Sequence, residues 1–108
     1  MNVQLKKGTL DMCVLSLLCE SDKYGYELVN RISEAIEISE GTIYPLLKRI
    51  KDDGYVTTYL KESSEGPPRK YYSITESGAR KKDELLDEWA AFIDGLNKIT
   101  GLKDGGAL

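Results

Sequence analysis

Apolar residues recur at helical spacing in several stretches of the chain and alternate with polar ones in two others, and the order of these patterns predicts the architecture. Residues 9–20 carry Leu10, Met12, Cys13, Val14, Leu15, Leu17 and Leu18, apolar on most sides, as expected of a central helix packed on more than one surface. Ser21 and Asp22 break it. Residues 24–36 put Leu28, Val29, Ile32, Ala35 and Ile36 on one stripe and Glu27, Asn30, Arg31 and Glu34 on the other face, the pattern of an amphipathic second helix. A short link, Glu37 and Ile38, reaches Ser39, a favoured helix-capping residue, and a third helix follows with Ile43, Leu46, Leu47 and Ile50 on its apolar side. Two helices joined so tightly are of the helix-turn-helix kind.

After Gly54 the period changes to two, over 55–62 and again over 69–75, with Gly66, Pro67 and Pro68 as the expected hairpin turn. Thr75 then suits an N-cap, with Glu76 in the first turn where a carboxylate favours the helix dipole. The long helix beyond has Ala79, Leu86, Trp89, Ile93 and Leu96 near an a/d seam, with Leu85, Phe92 and Ile99 as a second row. One row can pack on the first helix and the other on a second copy of the chain. The expected fold is α+β, mainly α: a winged helix-turn-helix of three helices plus a β-hairpin wing over 1–75, a long C-terminal dimerisation helix over 76–100, and a flexible tail over 101–108.

Charge changes what the third helix can do. The chain has 108 residues and a formal net charge of −3, which argues against indiscriminate coating of nucleic acid, because that binding scales with the number of phosphates neutralised. Lys48, Arg49, Lys51, Lys61, Arg69 and Lys70 nevertheless cluster around the third helix and the hairpin, so a local basic face on an acidic protein is expected. On the helix, Gly41, Pro45, Lys48, Arg49 and Asp52 lie opposite the apolar side, with Tyr44 and Lys51 on one edge and Thr42 on the other. Proline costs about 3 kcal/mol in a helix interior and less in the first turns, so Pro45 calls for a reason beyond propensity. A helix start presented to a phosphate or base edge supplies one, with Thr42 and Tyr44 as hydrogen-bonding tips and Lys48, Arg49 and Lys51 along the backbone. A solvated helix face accounts for the same pattern equally well. In the hairpin, Lys61, Arg69 and Lys70 would meet phosphates or a minor groove, while Glu62 and Glu65 would oppose them; a mixed-charge solvated turn is the plainer alternative.

Cys13 and Cys19, six residues apart in one helix, point in different directions and read as two buried thiols in a reducing cytoplasm. With no histidine a metal site has few ligands, and no cofactor is implied. No stretch approaches the roughly 18 apolar residues of a membrane span, so a soluble, cytoplasmic protein without a membrane partner is expected. Trp89 is the only tryptophan. On a two-fold seam, it and its mate would either fill the interface or wall a pocket for a flat aromatic molecule.

The strings Tyr24-Gly25-Tyr26-Glu27-Leu28, then 41–50 (GTIYPLLKRI), then Gly54-Tyr55-Val56 and 69–78 (RKYYSITESG), in that order, resemble the PadR family of bacterial transcriptional regulators over roughly residues 5–98. The resemblance implies a winged helix-turn-helix whose C-terminal helix crosses to the other subunit. It also implies a homodimer that usually represses a promoter, at a pseudo-palindromic operator in double-stranded DNA, until an effector loosens it. By this likeness Thr42, Tyr44, Lys48 and Arg49 fall at DNA-facing positions, and Arg69 and Lys70 belong to the wing. The single C-terminal helix is similar to the short branch of the family, in which some members hold aromatic drugs between paired tryptophans. Trp89 stands at a matching place, with Leu86 and Ile93 a turn to either side and Leu15 on the facing first helix. Ile93 stands where a drug-sensing relative carries an acid that can favour cationic ligands, so the resemblance leaves a neutral aromatic effector, or none, as open as a cationic one.

Two other classes bear on the same residues. An acidic winged helix can serve as a protein-interaction module without DNA. An enzyme would need a nucleophile beside a base or a phosphate-binding loop, and the sequence offers neither.

Overall fold

A computed structural model of the chain describes residues 8–102. Helix α1, Thr9–Glu20, spans the range its apolar run predicted and buries Met12, Val14, Leu15 and Leu18. Val14 and Leu15, about 100° apart around the helix, are both fully enclosed, so α1 is covered from more than one direction. Helix α2, Gly25–Ala35, contributes Leu28, Val29 and Ile32, and helix α3, Glu40–Asp52, contributes Ile43, Leu46, Leu47 and Ile50 to the same core. Removing an interior leucine from such a cluster typically costs about 2–5 kcal/mol. No helix among the described residues is long and apolar enough to cross a membrane.

The helix-to-strand break between α1 and α2 is a strand that periodicity did not reveal. Lys23 and Tyr24 form β1 and pair antiparallel with Tyr72 and Tyr71, so α2 begins at Gly25 instead of Tyr24. Two residues are too few for alternation to register. Strands β2, Val56–Ser63, and β3, Gly66–Ile74, make the hairpin, and the sheet order is β1-β3-β2. Its turn is Ser64-Glu65, closed by the Ser63–Gly66 pair, which corrects the expected Gly66-Pro67-Pro68 turn. Both prolines lie within β3, where β1 no longer runs alongside and only β2 needs the backbone donors; a register irregularity between Lys61 and Ser63 accommodates them.

Lys23 is 3% exposed, and its position explains how α1 ends. Its Nζ donates to the Leu17 carbonyl at 2.9 Å, to Ser21 Oγ at 3.0 Å and to the Ser21 carbonyl at 3.4 Å, with Glu20 Oε1 at 3.5 Å. A cation at a helix C-terminus is attracted by the negative end of the dipole and satisfies carbonyls that the helix leaves unpaired. Lys23→Met keeps the bulk and strands these acceptors, so a loss of about 1–3 kcal/mol is expected in urea unfolding; wild-type stability would mean that water serves these carbonyls equally well.

Helix α4, Glu76–Thr100, starts at Thr75 as predicted: Thr75 Oγ1 accepts from the Gly78 amide at 3.0 Å and donates to the Gly54 carbonyl at 2.7 Å. The same residue thus caps α4 and ties it to the turn that ends α3. Helix α4 packs along α1, but its rows divide differently from the seam read off the sequence. Leu85 is buried and Trp89 packs against the core, whereas Leu86, Phe92, Leu96 and Ile99 are exposed. Gly101, left-handed at φ 78°, ends the helix, and the expected tail beyond Leu102 lies outside the described residues. Nor are the thiols both buried: Cys13 is half-buried, which pushes its thiol pKa up, and Cys19, a turn and a half further along α1, is exposed.

Candidate nucleic-acid interface

Helix α3 buries one side and leaves Thr42, Tyr44, Pro45, Lys48, Arg49 and Lys51 exposed, as its periodicity required. Ser39 is extended before its first turn and makes no side-chain cap; its carbonyl accepts the Thr42 amide at 3.0 Å, and its hydroxyl lies 3.2 Å from that of Thr42. Tyr44 leans over the start of α2: a Cβ on Gly25 would come 3.0 Å from Tyr44 Cε1, so a side chain there would push the Tyr44 ring aside by a few tenths of an ångström. The Tyr44 phenol also lies near Tyr72, whose pKa is pushed up first by burial and then by that neighbour.

The basic residues of α3 are not equivalent. Lys48 bridges Asp52 at 3.0 Å, but both groups are largely exposed, and such a pair is readily exchanged for another anion. Lys51 makes no ion pair with another described residue. Arg49 is held: its Nη1 donates to Asp11 Oδ2 at 3.0 Å and its Nη2 to Asp11 Oδ1 at 2.8 Å. Asp11 is only 15% exposed in this two-pronged pair, while Arg49 is 54% exposed, and the Asp11 hydrogen bond pushes the guanidinium pKa further up. Arg49 therefore joins the end of α3 to the first turn of α1, and its remaining donors face solvent. A cleft of about 560 Å³ adjoins this bridge, between Gly8, Asp53, Tyr55, Lys81 and Leu85.

The wing divides its cations between two faces. Lys61 and Arg69 are cross-strand partners, and strand alternation puts them on the face that carries Tyr59 and Tyr71. Lys70 pairs with Leu60 on the opposite face, which also carries buried Tyr72. On the first face the Arg69 guanidinium lies 4.6 Å from the Tyr24 ring centre and the Lys61 ammonium 5.2 Å from that of Tyr71. Tyr71 contacts Tyr24 at 5.6 Å and stacks on Tyr59 at 5.7 Å. The Tyr59 hydroxyl donates to Asp22 at 2.7 Å, which pushes the phenol pKa up. The tyrosines and both aspartates are absent from the candidate set drawn from sequence. The two-residue spacing of Tyr59 from Lys61 and of Arg69 from Tyr71 placed each pair on one face, but Tyr24, Asp11 and Asp22 join only through the fold.

The four positions matched to an effector pocket differ in burial. Leu15 is fully buried in the core, Trp89 and Ile93 are half-buried, and Leu86 is exposed. The aromatic partner of Trp89 is Phe92, at 5.6 Å and 44°. Neither the cleft beside Arg49 nor a groove of about 280 Å³ between α1 and α2 includes any of the four.

Comparison with known proteins places this geometry. The Transcriptional regulator PadR-like family matches residues 14–84. An uncharacterised protein of Lysinibacillus sphaericus is 38% identical over 101 residues, covering 83% of this chain and 93% of its own. The crystal structure of a PadR-like transcriptional regulator from Bacillus cereus superposes with TM-score 0.76 at 37% identity, covering 86% of this chain and 92% of that one. The negative transcriptional regulator PadR of Bacillus subtilis is 29% identical over 82 residues, 72% of this chain and 43% of its own length. Its structure in complex with operator DNA shares the fold, with TM-score 0.68 at 24% identity over 76% of this chain and 48% of that one. The chain spans less than half the length of that relative and of the other regulators it matches at similar identity. A family match from the middle of α1 through the helix-turn-helix and the wing to the first turns of α4 means that this chain belongs to the PadR-like family of transcriptional regulators.

Proposed function

We propose that the protein binds operator DNA as a homodimer and represses transcription, with α3 in the major groove and the wing on the flanking backbone. The observation that carries this reading is the concentration of exposed cations on α3 and the hairpin of a chain whose net charge is −3. Thr42 and Tyr44 offer hydroxyls at the start of α3, where base edges would be read, and Lys48 and Lys51 follow along the helix for phosphates. Arg49 contributes with its outer donors while Asp11 holds its inner ones, and Lys61, Arg69 and Lys70 serve the wing. The operator-bound fold of Bacillus subtilis PadR supports the same use of this scaffold.

In this reading residues 1–75 form the DNA-binding unit and 76–100 the dimerisation helix. The exposed row on α4 meets its symmetry mate, which puts the two α3 helices roughly 34 Å apart for successive major grooves of a pseudo-palindrome. Release by a small aromatic effector would centre on Trp89, Leu86 and Ile93 at that interface, with Leu15 packed in the core behind them. Its lone tryptophan makes the site observable by fluorescence.

The test is binding to DNA from upstream of the protein's own gene against an unrelated duplex of equal length, over a range of salt. Lys48→Ala is expected to weaken binding to every sequence and to reduce the slope of log affinity against log salt by about one. Binding that ignores salt, or a partner retained from cell extract after nuclease treatment in place of DNA, would favour a protein-interaction module.

A further inference from the structure

We propose that Tyr24 is a positioning residue of the wing: its ring, braced by the Tyr71–Tyr59–Asp22 contacts, holds the Arg69 guanidinium on the outer face of the sheet in the attitude that meets a DNA phosphate. The inference rests on the DNA-binding reading above and adds to it how a flexible side chain on a two-stranded arm is kept in place.

An arginine in the outer half of a hairpin ordinarily samples many rotamers, and ordering it on a ligand carries an entropic cost. Here the guanidinium lies 4.6 Å from the Tyr24 ring centre, within the range of attraction to the negative face of an aromatic ring. Tyr24 does not belong to the hairpin. It is in β1, and its backbone pairs with Tyr71, so the ring that steers Arg69 is anchored at the root of the sheet where α1 gives way to α2. Tyr71 contacts it at 5.6 Å and is itself stacked on Tyr59, whose hydroxyl is fixed by Asp22 at 2.7 Å. Asp22 adjoins β1 in sequence, so the chain of contacts closes on itself. Cation–π attraction leaves the donors at the edge of a guanidinium available, unlike an ion pair, which would neutralise the charge and occupy them. Arg49, gripped by Asp11, shows the contrasting case within the same protein.

The test uses the full chain and the upstream duplex, with Tyr24→Leu, Tyr24→Phe and Arg69→Ala measured singly and with Tyr24→Leu combined with Arg69→Ala. Tyr24→Leu keeps an apolar strand residue and removes the ring; it should lower affinity roughly two- to fivefold, and Tyr24→Phe should restore it. In the Arg69→Ala background Tyr24→Leu should have no further effect, because nothing remains to be positioned. Additive losses, or a phenylalanine variant as weak as the leucine one, would overturn the proposal and reduce Tyr24 to a packing residue.

A measurement without DNA separates this failure from that of the DNA reading. In the free protein the Arg69 side-chain protons should show ring-current shifts that vanish in Tyr24→Leu and persist in Tyr24→Phe. Their absence from the wild type would overturn the positioning geometry even if DNA binds. Their presence in a protein that binds neither duplex would instead refute the DNA reading and, with it, the role assigned to Arg69.

Discussion

Gly78→Ala is expected to lower stability by about 3 kcal/mol, at the upper end of overpacking costs, and to reduce Tm by on the order of 15 °C. Gly78 lies in the first turn of α4, and a Cβ there would overlap the Tyr55 carbonyl oxygen and come 2.9 Å from Ile74 Cγ1. Neither neighbour has room to withdraw. The Tyr55 carbonyl accepts the Thr75 amide at 3.0 Å, and its own amide donates to the Ile50 carbonyl at 2.9 Å, so moving it disturbs both the end of α3 and the start of α4. Alanine is the better helix former by about 1 kcal/mol, so the steric contact costs more than the net loss by about that amount. Gly95, later in the same helix, has nothing within 4 Å of where a Cβ would sit. Gly95→Ala should therefore raise stability by about 0.5–1 kcal/mol. Thermal unfolding of the two variants should move in opposite directions, and a Gly78→Ala protein melting at or above wild type would show that α4 does not rest on the Tyr55 carbonyl.

Replacing Leu96 and Ile99 together with glutamate is expected to convert a dimer into a folded monomer and to weaken binding to a two-half-site duplex by about 100-fold, the lower range of what linking two modules contributes. Ile99 is 85% exposed and Leu96 40%, and with Phe92 they leave apolar surface exposed along the last turns of α4. Contiguous exposed apolar surface of this kind marks an interaction site. Because neither side chain belongs to the core, circular dichroism and unfolding of the monomer should stay near those of the wild-type subunit. Sedimentation at micromolar concentration reads the first expectation, and titration of one and two half-sites the second. A variant that remains dimeric would move the interface elsewhere. A monomer with undiminished affinity for the paired site would refute the two-fold docking geometry while leaving α3 as the reading helix.

Both predictions depend on α4, an element whose existence was legible from local signals and whose contacts were not. The Thr75 cap, Glu76 in the first turn and the apolar repeat through Leu96 announce the helix from its own residues. The assignment of rows to partners went differently. Leu85 and Leu86 are adjacent apolar residues in the sequence, yet Leu85 is buried and Leu86 exposed, because the roll of α4 is set by where Gly78 meets Tyr55. The same holds for Leu15, which a family likeness directs toward a ligand and the fold encloses completely.

On α3, the apolar side and the exposed side were both readable from period 3.6, and Lys48, Tyr44 and Thr42 are on the surface as that period required. The state of Arg49 was not readable, since its partner Asp11 lies 38 residues away on another helix. In the wing, the two-residue period is enough to put Tyr59 with Lys61 and Arg69 with Tyr71 on common faces, a signal the candidate residues did not include. The turn was misplaced because proline and glycine mark chain reversal only on average, and β3 tolerates both where one of its edges is open.

The sequence by itself determined which segments become helices α1 to α4, which become the hairpin, and where the cations concentrate, because helical periods, caps and strand alternation are decided by residues within a turn or two of one another. The tertiary structure alone decided that Lys23 closes α1, that Asp11 grips Arg49, that Tyr24 comes under Arg69, and which row of α4 remains open. The Arg49 and Arg69 contacts join segments far apart in the chain, and Lys23, though only six residues from Leu17, is placed by the pairing of β1 with β3; this geometry exists only after the core of α1, α2 and α3 has brought those segments together.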